Sequence, residues 1–125
     1  MLPHEEWMLK AQHDLKSAQL LNGATPPLRD TAIYHAQQCA EKALKGYLSF
    51  AGKPIEKVHN VRILAEKCTA IDSHFGSIFD AAVFLTPFDT LYRYPDDIIE
   101  PDSEDVNSAI QYAEQILHVV QKLTA

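Results

Sequence analysis

Glycine is scarce in this chain, with four in 125 residues. A dinucleotide-binding β/α fold needs glycine in its turns and its phosphate loop, and four are too few for that plan. No GxGxxG, Walker A string or H-E-x-x-H occurs, which removes the motif-borne routes to nucleotide cofactors, phosphate cradles and zinc hydrolysis. Cysteine is down to two, Cys39 and Cys68. Both fall inside helical patterns without disulfide-framework or metal-ligand spacing, so they read as reduced core residues. No apolar run approaches the roughly 20 residues of a membrane span. Pro3, His4, Glu5 and Glu6 interrupt any signal-like run at the start. Together these absences predict a soluble, cytoplasmic chain with no metal site, no cofactor and no membrane partner.

Basic residues are also in deficit, 11 Lys and Arg against 17 Asp and Glu, for a net charge of −6. Residues 89–105 hold seven acids (Asp89, Asp96, Asp97, Glu100, Asp102, Glu104, Asp105) against Arg93 alone, so this segment carries the whole net charge. Residues 35–67 lean the other way. Lys42, Lys45, Lys53, Lys57, Arg62 and Lys67 face only Glu41, Glu56 and Glu66. An acidic chain is a poor broad binder of nucleic acid, but this local excess suits one phosphate-bearing ligand.

What the chain does have is hydrophobic periodicity at helical spacing. A first helix is predicted over His4–Leu21, with Trp7, Ala11, Leu15, Ala18 and Leu21 as its apolar stripe and Asn22-Gly23 as its stop. After a Pro26-Pro27 connection, a second helix is predicted from a cap near Asp30 to just before Gly52. Its broad face of Ala32, Ala36, Cys39, Ala40, Ala43, Leu44, Tyr47 and Leu48 starts small, which suits a central helix approached closely by others. A third helix opens at His59 or Asn60 with Val61, Leu64 and Cys68 inward, and a fourth runs from Asp72 to Leu85 with Phe75, Ile78, Phe79, Ala82 and Val83. Thr86–Pro101 reads as a long irregular connection. The last helix begins after Asp102 or Ser103 and carries Val106, Ile110, Ala113, Leu117 and Val120 inward. The fold class is all-α: residues 1–125 form one domain, an antiparallel up-and-down bundle of four main helices plus a shorter one.

Three groups of residues carry possible chemistry. His35, Gln38, Glu41, Lys42 and Lys45 follow one another in three- and four-residue steps along the second helix and form a polar stripe. That stripe is either a solvated surface with a Glu41–Lys45 pair or a ligand-facing edge where Lys42 or Lys45 meets an anion. His59 stands where the third helix opens, as an anion-site residue or as a cap. In Leu91-Tyr92-Arg93-Tyr94-Pro95 two tyrosines flank the one base of the acidic segment; they either pin the loop or stack on a ligand whose phosphate Arg93 holds. His35 and Cys39 are four apart, but two ligands make a poor zinc site.

Trp7…Ala11…Asp14-Leu15, then Tyr34-His35-Ala36-Gln37-Gln38-Cys39-Ala40-Glu41-Lys42-Ala43-Leu44-Lys45, then Lys57-Val58-His59-Asn60-Val61, and finally Arg93-Tyr94-Pro95, resemble the HEPN domain family in its small stand-alone bacterial and archaeal branch. The resemblance spans about residues 5–120. It implies a helical bundle that forms homodimers and binds a nucleotide or substrate beside a minimal nucleotidyltransferase, in some cases as a toxin–antitoxin pair. It makes His35, Gln38, Lys42, Lys45, His59, Arg93 and Tyr94 the expected ligand-binding residues, with no catalytic residue assigned. Other members of the family are metal-independent ribonucleases built on Arg-x4–6-His near a late helix and paired across a dimer. This sequence departs from that pattern, because the first histidine after Arg93 is His118. Arg29 and His35 have a permitted separation but stand too early in the chain. Val58 also replaces the small hydroxyl residue that many relatives carry before the histidine. A ribonuclease toxin of this type, with His35 or His59 acting with Arg93, or a purely structural interaction protein, is the alternative reading.

Overall fold

Helix α1, Pro3–Asn22, begins where a proline is harmless, since the first turn has no acceptor for its N–H. Just before it, the Leu2 N–H donates to Glu5 Oε1 at 2.8 Å. The residues α1 buries are Met8, Ala11, Asp14 and Ala18, while Trp7, Leu15 and Leu21 are only half-buried. The expected stripe is therefore rotated, and the correction puts a carboxylate, Asp14, among the inward positions.

Helix α2, Arg29–Phe50, starts one residue ahead of the expected cap. Leu28 is its N-cap and offers no side-chain acceptor; Asp30 lies inside the first turn, where its Oδ1 accepts the Thr31 N–H at 2.8 Å. The predicted apolar face is wholly buried, and α2 packs against α1, α3, α4 and α5, so it is the central helix. The close approach of α1 is visible at Gly46, where an added Cβ would stand 3.1 Å from Met8 Sδ and 3.2 Å from Trp7 Cβ.

The end of α2 is a Schellman motif. Gly52 takes φ +77, its N–H reaches the Ser49 carbonyl at 3.0 Å, and the Lys53 N–H reaches back to Leu48 at 2.9 Å. The chain is thereby folded back before α3, Val61–Ile71, which Asn60 caps by accepting the Ile63 N–H at 3.0 Å. Asn60, not His59, is the cap.

The expected fourth helix is three joined pieces: a 3₁₀ turn over Ser73–Ile78, α4 over Phe79–Leu85, and a second 3₁₀ turn over Thr86–Asp89. Passing from three to 3.6 residues per turn shifts the inward register. Phe75, Ile78 and Ala82 are buried as expected, but Phe79 is half-buried and Val83 is 45% exposed. The second 3₁₀ turn also shortens the irregular connection that was expected to begin at Thr86.

Asp102 then caps α5, Ser103–Leu123, by accepting the Asp105 N–H at 2.8 Å, and the five predicted inward residues of α5 are all buried. The computed structural model describes residues 1–95 and 99–125; Asp96 and Asp97 of the acidic segment lie outside the described residues. Among the described residues there is no strand. The architecture is an all-α up-and-down bundle of five helices, counting the joined pieces as one. No helix among the described residues is long and apolar enough to cross a membrane.

Candidate functional site

The polar stripe of α2 is not a solvated surface. Glu41 and Lys45 are 4% and 5% exposed, and Gln37 between the stripe and the core is fully buried. The stripe divides into two clusters, each organised by one buried carboxylate.

The first carboxylate is Asp14 of α1. One of its oxygens meets His35 Nδ1 at 2.8 Å and the other meets Lys42 Nζ at 2.6 Å. His35 and Lys42 are seven residues apart, two turns, so both reach the same point across the α1–α2 contact. A carboxylate can only accept, so Nδ1 of His35 carries the hydrogen and donates it. With the hydrogen on Nδ1, the lone pair of the imidazole base is on Nε2.

His35 lines a pocket of about 270 Å³ together with Asp30, Thr31, Tyr34, Tyr92 and Arg93. Arg93 comes from the far side of the sequence, and its Cζ lies 4.4 Å from the Tyr34 ring centroid. The Arg93 Nη1 donates to the Asp89 carbonyl at 3.1 Å, which holds the guanidinium at the pocket. Tyr92 takes φ 69, a left-handed backbone that a bulky side chain adopts at a cost. Its ring stacks on Phe88, which packs on Phe84, so the pocket wall is anchored to the core.

The second carboxylate is Glu41. It accepts from Lys45 Nζ at 3.0 Å and from His59 Nδ1 at 3.2 Å, and Gln37 Nε2 lies 3.4 Å away. Gln37 also donates to the His59 carbonyl at 3.0 Å and accepts from Gln38 at 2.7 Å. This network ties α2 to the segment ahead of α3. The His59 side chain itself stays 65% exposed.

The seven sequence-predicted residues are thus not one cleft. His35 and Arg93 share a pocket, with Lys42 bound to the same aspartate as His35. Gln38, Lys45 and His59 belong to the Glu41 network, and Lys45 lines a different cavity. Tyr94 is 60% exposed, with its ring centroid 6.0 Å from Arg93 Cζ, and it does not line the pocket. The residues to which sequence reasoning gave no chemical role are Asp14, Gln37 and Tyr34, while Tyr92 was expected either to pin the loop or to stack on a ligand. Asp14 had a signal, because 11, 14 and 18 share a helix face. Cys39 is buried, and burial, with Asp14 adding to it, pushes its thiol up to about 12, so it is no nucleophile. Among the described residues no three His, Cys, Asp or Glu side chains gather as metal ligands would.

A family model for the HEPN domain matches residues 4–123. The chain belongs to the HEPN domain family. Two solved structures agree with this placement. TT1696 from Thermus thermophilus is 26% identical with a TM-score of 0.86 and 98% of both chains covered. The other, ST0689, described as an archaeal HEPN homologue, is 27% identical with a TM-score of 0.72 and 100% of both chains covered. Comparison with curated proteins gives no match. Within this HEPN chain, the polar residues of α2 meet α1 through Asp14 and the Arg93 segment through the Tyr34 face, so the bundle lines the pocket from two separate stretches and supports His35 from a third.

Proposed function

We propose that this HEPN chain is a metal-independent ribonuclease whose phosphodiester site is the His35–Arg93 pocket. The observation that carries this reading is the convergence of a carboxylate-held histidine and an arginine on one pocket, although 58 positions separate them in the chain. The family's Arg-x4–6-His spacing does not occur at the late position, where His118 is the first histidine after Arg93, and in this reading His35 of α2 takes the place of the histidine missing there. In this mechanism Nε2 of His35 removes the proton from a ribose 2′-hydroxyl, which attacks the adjacent phosphorus. Arg93 holds the phosphate oxygens as charge builds on them. The P–O5′ bond breaks, the 5′ oxygen takes a proton from water, and a 2′,3′-cyclic phosphate remains. Asp14 acts through His35 by fixing its tautomer, and Lys42 balances the charge of Asp14.

The test is incubation of single-stranded RNA with the purified chain in excess chelator. We expect cyclic-phosphate ends, with His35→Ala and Arg93→Ala each lowering the rate by about 10²-fold or more, the usual worth of positioned acid–base and electrostatic groups. Absence of cleavage, or cleavage that both variants retain in full, overturns the ribonuclease reading.

A second reading has its own observation. The pocket sets Tyr34 and Tyr92 beside Arg93, an arrangement suited to a nucleotide's base and phosphate without any reaction. On that reading the chain is a nucleotide- or substrate-binding module beside a minimal nucleotidyltransferase, in a toxin–antitoxin pair. Saturable calorimetric binding of ATP or another nucleotide, weakened in Lys42→Ala and Arg93→Ala and unaccompanied by RNA cleavage, selects it. On either reading we propose a homodimer, to which the exposed Leu2, Leu9 and Leu20 at and along α1 offer apolar area.

A further inference from the structure

The largely apolar cavity at the opposite end of α2 belongs to neither reading. It holds about 390 Å³ between the end of α2, the 53–56 segment and α3. Lys45, on its wall, is 14 residues from Thr31 at the first pocket, about 21 Å along the helix at ~1.5 Å per residue. The two sites are separate.

The cavity exists because of the Schellman turn at Gly52. The Lys53 N–H bonds back to Leu48, and Pro54 and Ile55 then run alongside α3 rather than away from it. The walls are apolar: Leu48 and Leu64 are nearly closed to solvent, while Ile55 and Ile71 are 37% and 40% exposed at the mouth. Exposed aliphatic side chains gathered around a concave surface lower the free energy of a bound hydrocarbon tail.

Charge decides what the head of that ligand is. Lys45, Lys53 and Lys67 line the cavity against Glu56. Lys67 and Glu56 pair at 2.9 Å and cancel. Lys45 is balanced by Glu41 behind it, yet among the described residues Glu41 is the one hydrogen-bond acceptor for its three N–H groups. Lys53 is in no ion pair among the described residues. Three cations against two carboxylates leave a single positive charge at the rim of an apolar cavity. We infer that this cavity binds a small amphipathic monoanion, an aliphatic carboxylate whose tail lies between Ile55 and Ile71 and whose head meets Lys53 and Lys45.

The experiment is calorimetric titration of the full chain with sodium octanoate, beside acetate, which lacks the tail, and octan-1-ol, which lacks the charge. The variants are Lys53→Glu and Ala70→Trp, both at exposed positions, the second filling the cavity. We expect saturable one-to-one binding of octanoate, with acetate and octanol at least about tenfold weaker, as a lost charge-assisted contact or a lost tail requires. Both variants weaken octanoate by a similar factor while RNA cleavage or nucleotide binding at the His35 pocket stays as in the parent. No saturable octanoate binding, binding that both variants leave unchanged, or octanol binding equal to octanoate overturns the inference. Its failure leaves the His35–Arg93 pocket untouched, since neither variant is near it.

Discussion

At the scale of single residues, the decisive side chain is Asp14. A buried carboxylate between two helices is stable only when it is paired and hydrogen-bonded, and His35 and Lys42 do both. Replacing it with asparagine keeps the shape but permits the other tautomer, because an amide can donate to Nδ1 as well as accept, and the hydrogen then sits on Nε2. We expect Asp14→Asn to lower RNA cleavage by about 10-fold or more while His35→Ala lowers it further; equal activity in Asp14→Asn and the parent would remove Asp14 from the mechanism. The cysteines behave oppositely to an active-site thiol. Burial pushes both Cys39 and Cys68 up to about 12, and Cys68 Sγ lies 3.6 Å from the Leu44 carbonyl as its donor. Their protons are held more tightly in the folded chain than in the unfolded one. The stability this provides is therefore complete below the ordinary thiol value of 9.0 and is lost as pH rises toward about 12. We expect Ellman's reagent to modify neither cysteine until the chain unfolds, and Cys68→Ala to flatten the fall of stability between those pH values.

At the scale of elements, the turn after α2 sets both the α2–α3 geometry and the second cavity. Gly52 has room for a Cβ, with nothing within 4 Å, so its requirement is conformational rather than steric. At φ +77 an alanine costs about 1–2 kcal/mol, and urea unfolding of Gly52→Ala should register that loss. A cost near zero would mean that the turn re-forms without the left-handed residue. The glycine and the proline after it were plain helix-stop signals in the sequence, and the starts of α3 and α5 were legible to within a residue, at His59 or Asn60 and after Asp102 or Ser103. The fourth helix was less legible. Its apolar spacing suits one continuous α-helix; the first 3₁₀ turn opens at the Asp72 cap and packs on α3 and α5, and the second opens at Thr86-Pro87 and packs on α2.

At the scale of the whole molecule, Glu41 connects the layers. It holds Lys45 beneath Trp7 of α1, with the ammonium 5.8 Å from the ring, and it holds the segment that leads to α3 through His59 and Gln37. Removing one partner of a buried ion pair strands the other. Glu41→Ala should cost about 3–5 kcal/mol in chemical unfolding, and the double change to Glu41→Leu with Lys45→Met should recover most of it. If the double variant is as unstable as the single one, packing rather than the stranded charge explains the loss.

The positions of α1, α2, α3 and α5, the burial of α2 and α5, the buried cysteines and the family were readable from residue types and spacing, because they depend on periods of three to four residues along one chain. The burial of Glu41 and Lys45 was not, since a charged residue on a helix is solvated unless another element covers it. Nor was the division of seven polar residues between two carboxylates, because the bundle brings Asp14 to His35 and Arg93 to Tyr34 across stretches that share no local pattern. Which residues can carry charge and which segments coil into helices follow from residue type and spacing along the chain. Which charges meet follows from the packed bundle, because it depends on how helices far apart in sequence are turned toward one another.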